Sequence, residues 1–158
     1  MGKTKFTIEP GRQDIISERT FNAPIDKVFE AFVNPDLIKQ WWGGHKYETE
    51  LELYEPKAGG SWKFVQTDED GNKWSFHGTF HEVNAKEHRA IQTFEFDGLP
   101  EKGHVAMDTM VLTEEDGKTT MRTVSVFQSV ADRDGMVASG MQDGYDDGMD
   151  VFASLVEQ

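Results

Sequence analysis

Residues 129–158 read SVADRDGMVASGMQDGYDDGMDVFASLVEQ. Val137, Met141, Gly144, Gly148, Phe152 and Leu155 recur at intervals of three and four, which aligns them on one face of a helix, while Asp143, Asp146, Asp147 and Asp150 take the opposite face. Ser129 followed by Asp132 resembles a capping box, so its hydroxyl is placed to satisfy an orphan N–H of the first turn. The spacing predicts one long amphipathic helix that closes the chain. What that helix covers is decided upstream.

From Tyr47 to Gln128 the apolar period is two. Six runs, YETELELYE, SWKFVQ, KWSFHGTFHEV, RAIQTFEF, HVAMDTMVLT and TTMRTVSVFQ, are separated by the turn signals KAGG, DEDGN, NAKEH, DGLPEKG and EEDGK. Ahead of them, DIISERTFN alternates as a first strand, after a start that reads as disordered. APIDKVFEAFVN places Ile25, Val28, Phe29 and Phe32 on one helical face, and a second short helix from Pro35 to Trp42 halts at Gly43 and Gly44. The order is strand, two short helices, six strands, long helix. This is an α+β pattern with an antiparallel sheet of about seven strands, and only the terminal helix is long enough to cover its concave face, which is a helix-grip architecture. One domain over 1–158, with its core in 13–157, is expected.

Composition agrees with one domain: 158 residues, 37% hydrophobic and 28% charged. There is no Cys, which excludes disulfides, thiolate catalysis and cysteine-held metal. Acidic residues outnumber basic ones 29 to 16, a net charge of -13 that repels phosphate backbones and anionic headgroups, so nucleic acid and membranes are poor partners. With no membrane-length apolar run and no secretory apolar centre, the expected compartment is the cytoplasm.

Gly140, Gly144 and Gly148 form a stripe without side chains, although each interior glycine costs a helix about 0.5 to 1 kcal/mol relative to alanine. Close approach to the sheet or room for a ligand can each explain such a stripe, and both can hold at different glycines. Trp62, Phe64, Trp74, Phe76, Phe80, Phe94 and Phe96 fall at even spacings within strands, and Met107, Met110, Met141 and Met149 add adaptable side chains. With Thr109, Gln92 and His104 as polar intrusions, this composition suits a small-molecule pocket as well as a packed core. Trp41 and Trp42 diverge by about 100 degrees on a helix, so either one seats the short helix while the other reaches toward the open end of the sheet as a lid, or both are structural plugs.

Chemical motifs are scarce. His77 and His81 lie about 13 Å apart on a strand, too far to share a metal ion. His45, His88 and His104 adjoin glycine or polar turns, and His104 is the candidate polar group at a pocket mouth. The four helical aspartates read as a solvated face, DEDGN as a turn, and Glu95, Asp108 and Arg122 as a surface cluster across strands. No nucleophile elbow, phosphate loop or dinucleotide fingerprint is present, and no metal or cofactor is implied.

ISERTFNAPIDKVFEAFVNPDLIKQWWGG, GGSWKF, FHGTFHEV, QTFEFDGLPEKGH, DGKTTMRTVSVFQS and ADRDGMVASGMQDGYDDGMD together resemble the bacterial proteins similar to the C-terminal domain of the activator of the heat-shock-protein ATPase. That family belongs to the START-like, birch-pollen-allergen-like superfamily, which also holds polyketide cyclases and aromatases. The resemblance implies a helix-grip fold with an internal cavity and no shared catalytic set. The expected function is binding of a small apolar, aromatic or lipid-like molecule, with the cavity formed by Trp41, Trp42, Trp62, Phe64, Phe76, Phe94, His104, Met107, Thr109, Met141, Gly144, Tyr145 and Gly148. A cyclase, dehydratase or hydrolase acting in that cavity is the alternative, with His104, Glu95 or Tyr145 as its polar groups. A cochaperone-like contact with a chaperone ATPase is the third reading, and the sequence leaves a homodimer open.

Overall fold

The structure is a computed structural model that describes residues 3–158. Eight strands form one antiparallel sheet in the order β1-β2-β8-β7-β6-β5-β4-β3. They are β1 (Lys5–Thr7), β2 (Asp14–Phe21), β3 (Glu48–Tyr54), β4 (Ser61–Thr67), β5 (Lys73–Asn84), β6 (Arg89–Phe96), β7 (Val105–Glu115) and β8 (Lys118–Val126). The six-strand meander and the strand before the helices stand where the period of two put them. The eighth strand, β1, is a correction to the expected seven: Phe6 pairs with Ser17 of β2, and three residues are too few to show any period.

Because β2 lies near one edge of the sheet and β3 forms the other, the chain between them must travel the width of the sheet. α1 (Ile25–Val33) and α2 (Pro35–Trp41) make that journey. α1 buries Val28, Phe29 and Ala31. α2 starts with Pro35 at its first position, where a missing N–H costs nothing, and Asn34 caps it by accepting from the Asp36 N–H at 2.9 Å. It stops because Gly43 and Gly44 take φ of +95° and +68°, a region open to glycine without a Cβ penalty.

The long terminal helix is two helices, a second correction. α3 (Val130–Ala138) and α4 (Met141–Val156) are separated by Gly140 at φ +84°, which begins α4 in a left-handed conformation. Ser129 caps α3 by accepting from the Asp132 N–H, as the sequence indicated. Gly140 therefore leaves the glycine stripe: it breaks the helix instead of smoothing its face.

The backbone of α4 approaches chiefly α1 and α2. Its C-terminal half fills the main core, where Phe152 is fully buried and sits 5.0 Å from Phe21 and 5.3 Å from Trp41 between ring centroids. Ile15, Ala106 and Phe127 form a smaller core at the other end, extended by Phe6 and Ile8.

Candidate functional site

Between the sheet and the N-terminal half of α4 lies a cavity of about 500 Å³, within the size range of small-molecule pockets. Strand alternation builds its walls. Trp62 and Phe64 of β4, Trp74, Phe76 and Phe80 of β5, Gln92, Phe94 and Phe96 of β6, Asp108 and Met110 of β7, and Thr123 of β8 face it in steps of two. Two bulges then change the parity. β5 slips between Phe80 and Glu82, so Val83 faces inward after Phe80, and β3 slips between Leu51 and Leu53, which turns Tyr54 inward and leaves Leu53 exposed. Gly78 stands where the indole of Trp62 crosses β5 to donate to the Thr93 carbonyl at 3.2 Å. A Cβ on Gly78 would lie 2.0 Å from that same carbonyl oxygen, so the close approach requires glycine.

The adjacent tryptophans part ways. Trp41 is buried and its indole N–H donates to the Ala31 carbonyl at 2.8 Å, which fixes α2 on α1. Trp42 projects among Phe76, Phe64 and Trp62 at centroid distances of 5.0, 5.2 and 6.4 Å, all edge-to-face. The two glycines of α4 divide in the same manner. A Cβ on Gly148 would stand 3.0 Å from the Trp41 carbonyl oxygen, a close helix-to-helix approach, whereas a Cβ on Gly144 would meet nothing within 4 Å. Ser139, Gly140 and Gly144 line the cavity and are also solvent-exposed, so the cavity opens at the junction of α3 and α4.

A second cavity of about 210 Å³ adjoins the first, and Phe94, Asp108, Thr123, Met136, Met141 and Tyr145 line both. Asp108 is the feature the sequence reading missed. Among the described residues it is the one charged side chain in the lining of either cavity. Desolvation pushes its carboxyl up to about 6, opposed by a hydrogen bond with the Ser125 side chain. Part of its surface is still accessible, because it faces a hollow instead of packed atoms. Tyr145 stands opposite on α4, accepting from the Ser17 hydroxyl at 3.4 Å; burial raises its pKa, and contacts with Ser17 and Thr123 oppose that.

Ten of the thirteen residues expected around the cavity line it: Trp41, Trp42, Trp62, Phe64, Phe76, Phe94, Met141, Gly144, Tyr145 and Gly148. Three do not. Met107 and Thr109 have the wrong parity, since Asp108 and Met110 take the inner face of β7, and Met107 is 44% exposed. His104 sits outside the lining, with Nδ1 3.0 Å from Asp132 at the start of α3 and Nε2 3.4 Å from Glu101. Asp132, by hydrogen bond and charge, raises the His104 pKa. Glu95 also faces away: it accepts from the Gly103 N–H at 2.8 Å and lies 3.4 Å from His77, whose other nitrogen is 2.6 Å from Asp97. The expected surface cluster of Glu95, Asp108 and Arg122 is thereby dispersed.

The acidic face of α4 is less solvated than its pattern suggests. Asp146 and Asp150 hold buried Arg19 at 3.4 and 2.9 Å, and Asp147 takes the His45 N–H at 2.7 Å and its ring Nδ1 at 2.6 Å. That contact with His45 holds the Asp147 carboxyl below the usual range and ties the loop after Trp42 to α4. Asp143 stays exposed. Among the described residues no group of three or more His, Cys, Asp or Glu could hold a metal ion, and no helix is long and apolar enough to cross a membrane.

A two-part molecule of this kind, a sheet gripped by helices around an apolar hollow, defines a class of fold, and the sequence places the chain within it. The profile of the family described as activator of Hsp90 ATPase homolog 1-like protein matches residues 22–157, and the chain belongs to that family. No curated protein matches. Among solved structures, the fold resembles protein Ms6760 from Mycobacterium smegmatis at TM-score 0.86 and 18% identity, over 98% of this chain and 96% of that one. It also resembles a protein from Arthrobacter aurescens at TM-score 0.87 and 20% identity, over 96% and 90%. DynU16, a protein of the dynemicin biosynthetic locus, superimposes at TM-score 0.68 and 20% identity, over 92% of this chain and 48% of DynU16. These likenesses show a shared fold.

Proposed function

We propose that this protein binds a small molecule with an apolar or aromatic body inside the 500 Å³ cavity. The observation that carries the reading is a hollow walled by Trp42, Trp62, Phe64, Phe76 and Phe94 with an opening beside Gly144. A solid core would gain dispersion contacts from every one of those rings, so leaving space among them sacrifices stability that a ligand can restore. Membership of a superfamily with internal cavities agrees with this.

Gly144→Leu tests it. The added side chain has room, and leucine favours the helix, so the variant folds, but it occupies the opening. Uptake of the neutral fluorophore N-phenyl-1-naphthylamine should be lost in the variant and saturable in the parent, with native mass spectrometry reporting any molecule carried through purification. Equal uptake by both proteins would defeat the proposal. Catalysis in the cavity is the second reading, favoured by Asp108 and Tyr145 sharing its wall; it requires a turnover that Tyr145→Phe reduces while probe affinity stays the same.

A further inference from the structure

Where the two chambers adjoin, Asp108 from β7, Thr123 from β8 and Tyr145 from α4 stand among apolar Phe94, Met136 and Met141, and Ser17 from β2 and Ser125 from β8 add polar groups on the side of the smaller chamber. The charges do not balance. Among the described residues no Lys, Arg or His forms an ion pair with Asp108, and its one side-chain hydrogen bond is with Ser125. Arg19, the nearest cation along β2, acts on Tyr145 and is held by Asp146 and Asp150. The other groups facing Asp108 are neutral: Tyr145 on α4, Met136 on α3, and Gln92, its register partner on β6.

We propose that the molecule taken into the cavity carries a protonated amine, which pairs with Asp108 at the junction of the chambers, while its apolar or aromatic body fills the larger one. This rests on the cavity reading above. A carboxylate facing an enclosed apolar space without a counter-cation is costly, and a cation removes the imbalance where a neutral hydroxyl could satisfy only one lone pair. Phe94, which lines both chambers beside Asp108, favours the same charge, since aromatic rings attract cations. So does the field of a chain with net charge -13, which repels anionic ligands from the opening.

Three probes with one body separate the terms: 4-phenylbutylamine, 4-phenylbutan-1-ol and 4-phenylbutanoic acid, titrated calorimetrically at pH 7.5 into the parent and into Asp108→Asn. The amine should bind at least about tenfold more tightly than the alcohol, and the acid most weakly. Asp108→Asn should remove the amine's advantage and leave the alcohol unchanged. In the parent, lowering the pH from 7.5 to 5 should weaken the amine and not the alcohol, because the carboxyl titrates at about 6; this arm needs no variant. The proposal is overturned if the alcohol matches the amine, or if Asp108→Asn weakens both alike. If none of the three binds, the cavity reading itself falls.

Discussion

The two halves of α4 share one helix and one sequence pattern, yet they do opposite things. From Gly148 onward the helix is seated: Met149, Phe152 and Val156 are almost fully buried, and Gly148 lets the backbone close on Trp41. From Met141 to Tyr145 it spans hollow space: Gly144 faces nothing within 4 Å, and Met141 and Tyr145 edge two cavities while reaching the sheet with their side chains, Tyr145 at Ser17 and Phe6 and Met141 at the small core of Ile15, Ala106 and Phe127. Both halves present glycine and bulky residues on the same stripe. The difference is what lies opposite. Phe21 and Trp41 meet the C-terminal half, whereas the wall opposite the N-terminal half lies across the hollow that holds Asp108. Stability and binding are thus divided along a single helix, with the anchor at one end and the space at the other.

That division can be broken most severely at the anchor. Phe152→Ala should destabilise by about 3–5 kcal/mol in urea unfolding, as expected for a buried phenylalanine whose site cannot collapse. Next comes Asp108→Asn, with the opposite sign. An acid whose folded pKa of about 6 exceeds its unfolded value of 3.8 holds its proton more tightly when folded. Its charged form therefore penalises the fold above about pH 6, and the penalty shrinks as the pH falls from 6 toward 4. At pH 7.5 the Asn variant should be more stable by on the order of 2 kcal/mol, with the two proteins converging near pH 4 in thermal melts.

Gly144→Ala should stabilise by about 0.5–1 kcal/mol, because a Cβ there meets nothing and the backbone is helical. A loss of stability would mean that the N-terminal half is packed after all. His104→Ala should have the smallest effect. Asp132 raises the His104 pKa in the folded state, so the contribution is present below the unfolded pKa of about 6.5 and disappears as pH rises through the folded value. Its loss should be visible only in acid-side melts, with probe affinity unchanged at any pH.

Much of this was legible in the chain. Period-two runs and turn signals placed six strands and the strand before them, and the proline-to-glycine punctuation bounded the helix pair. The divergence of Trp41 and Trp42 was expected from helix geometry, but the helix ends at Trp41 and Trp42 parts from it as an extended cap residue. Side-chain parity was the weak point. On β7 a one-residue choice decides which set faces inward; Met107 and Thr109 were read as inner residues, but Asp108 and Met110 hold those positions. Apolar content would never nominate an aspartate. Ion pairs across long separations, such as Arg19 with Asp146 and Asp150, were equally invisible, so the acidic face of α4 looked merely solvated.

The sequence by itself determined the seven strands from β2 onward and the helix pair between β2 and β3, the helical character of the C-terminal segment, the aromatic character of the interior and the absence of thiol chemistry, because periodicity and composition are local properties of the chain. Only the tertiary structure decided that Gly140 divides the last helix, that Gly148 is a contact and Gly144 an opening, and that a lone carboxylate stands between two chambers. Those outcomes depend on what faces each residue across the interior, and a linear pattern carries no information about the far wall.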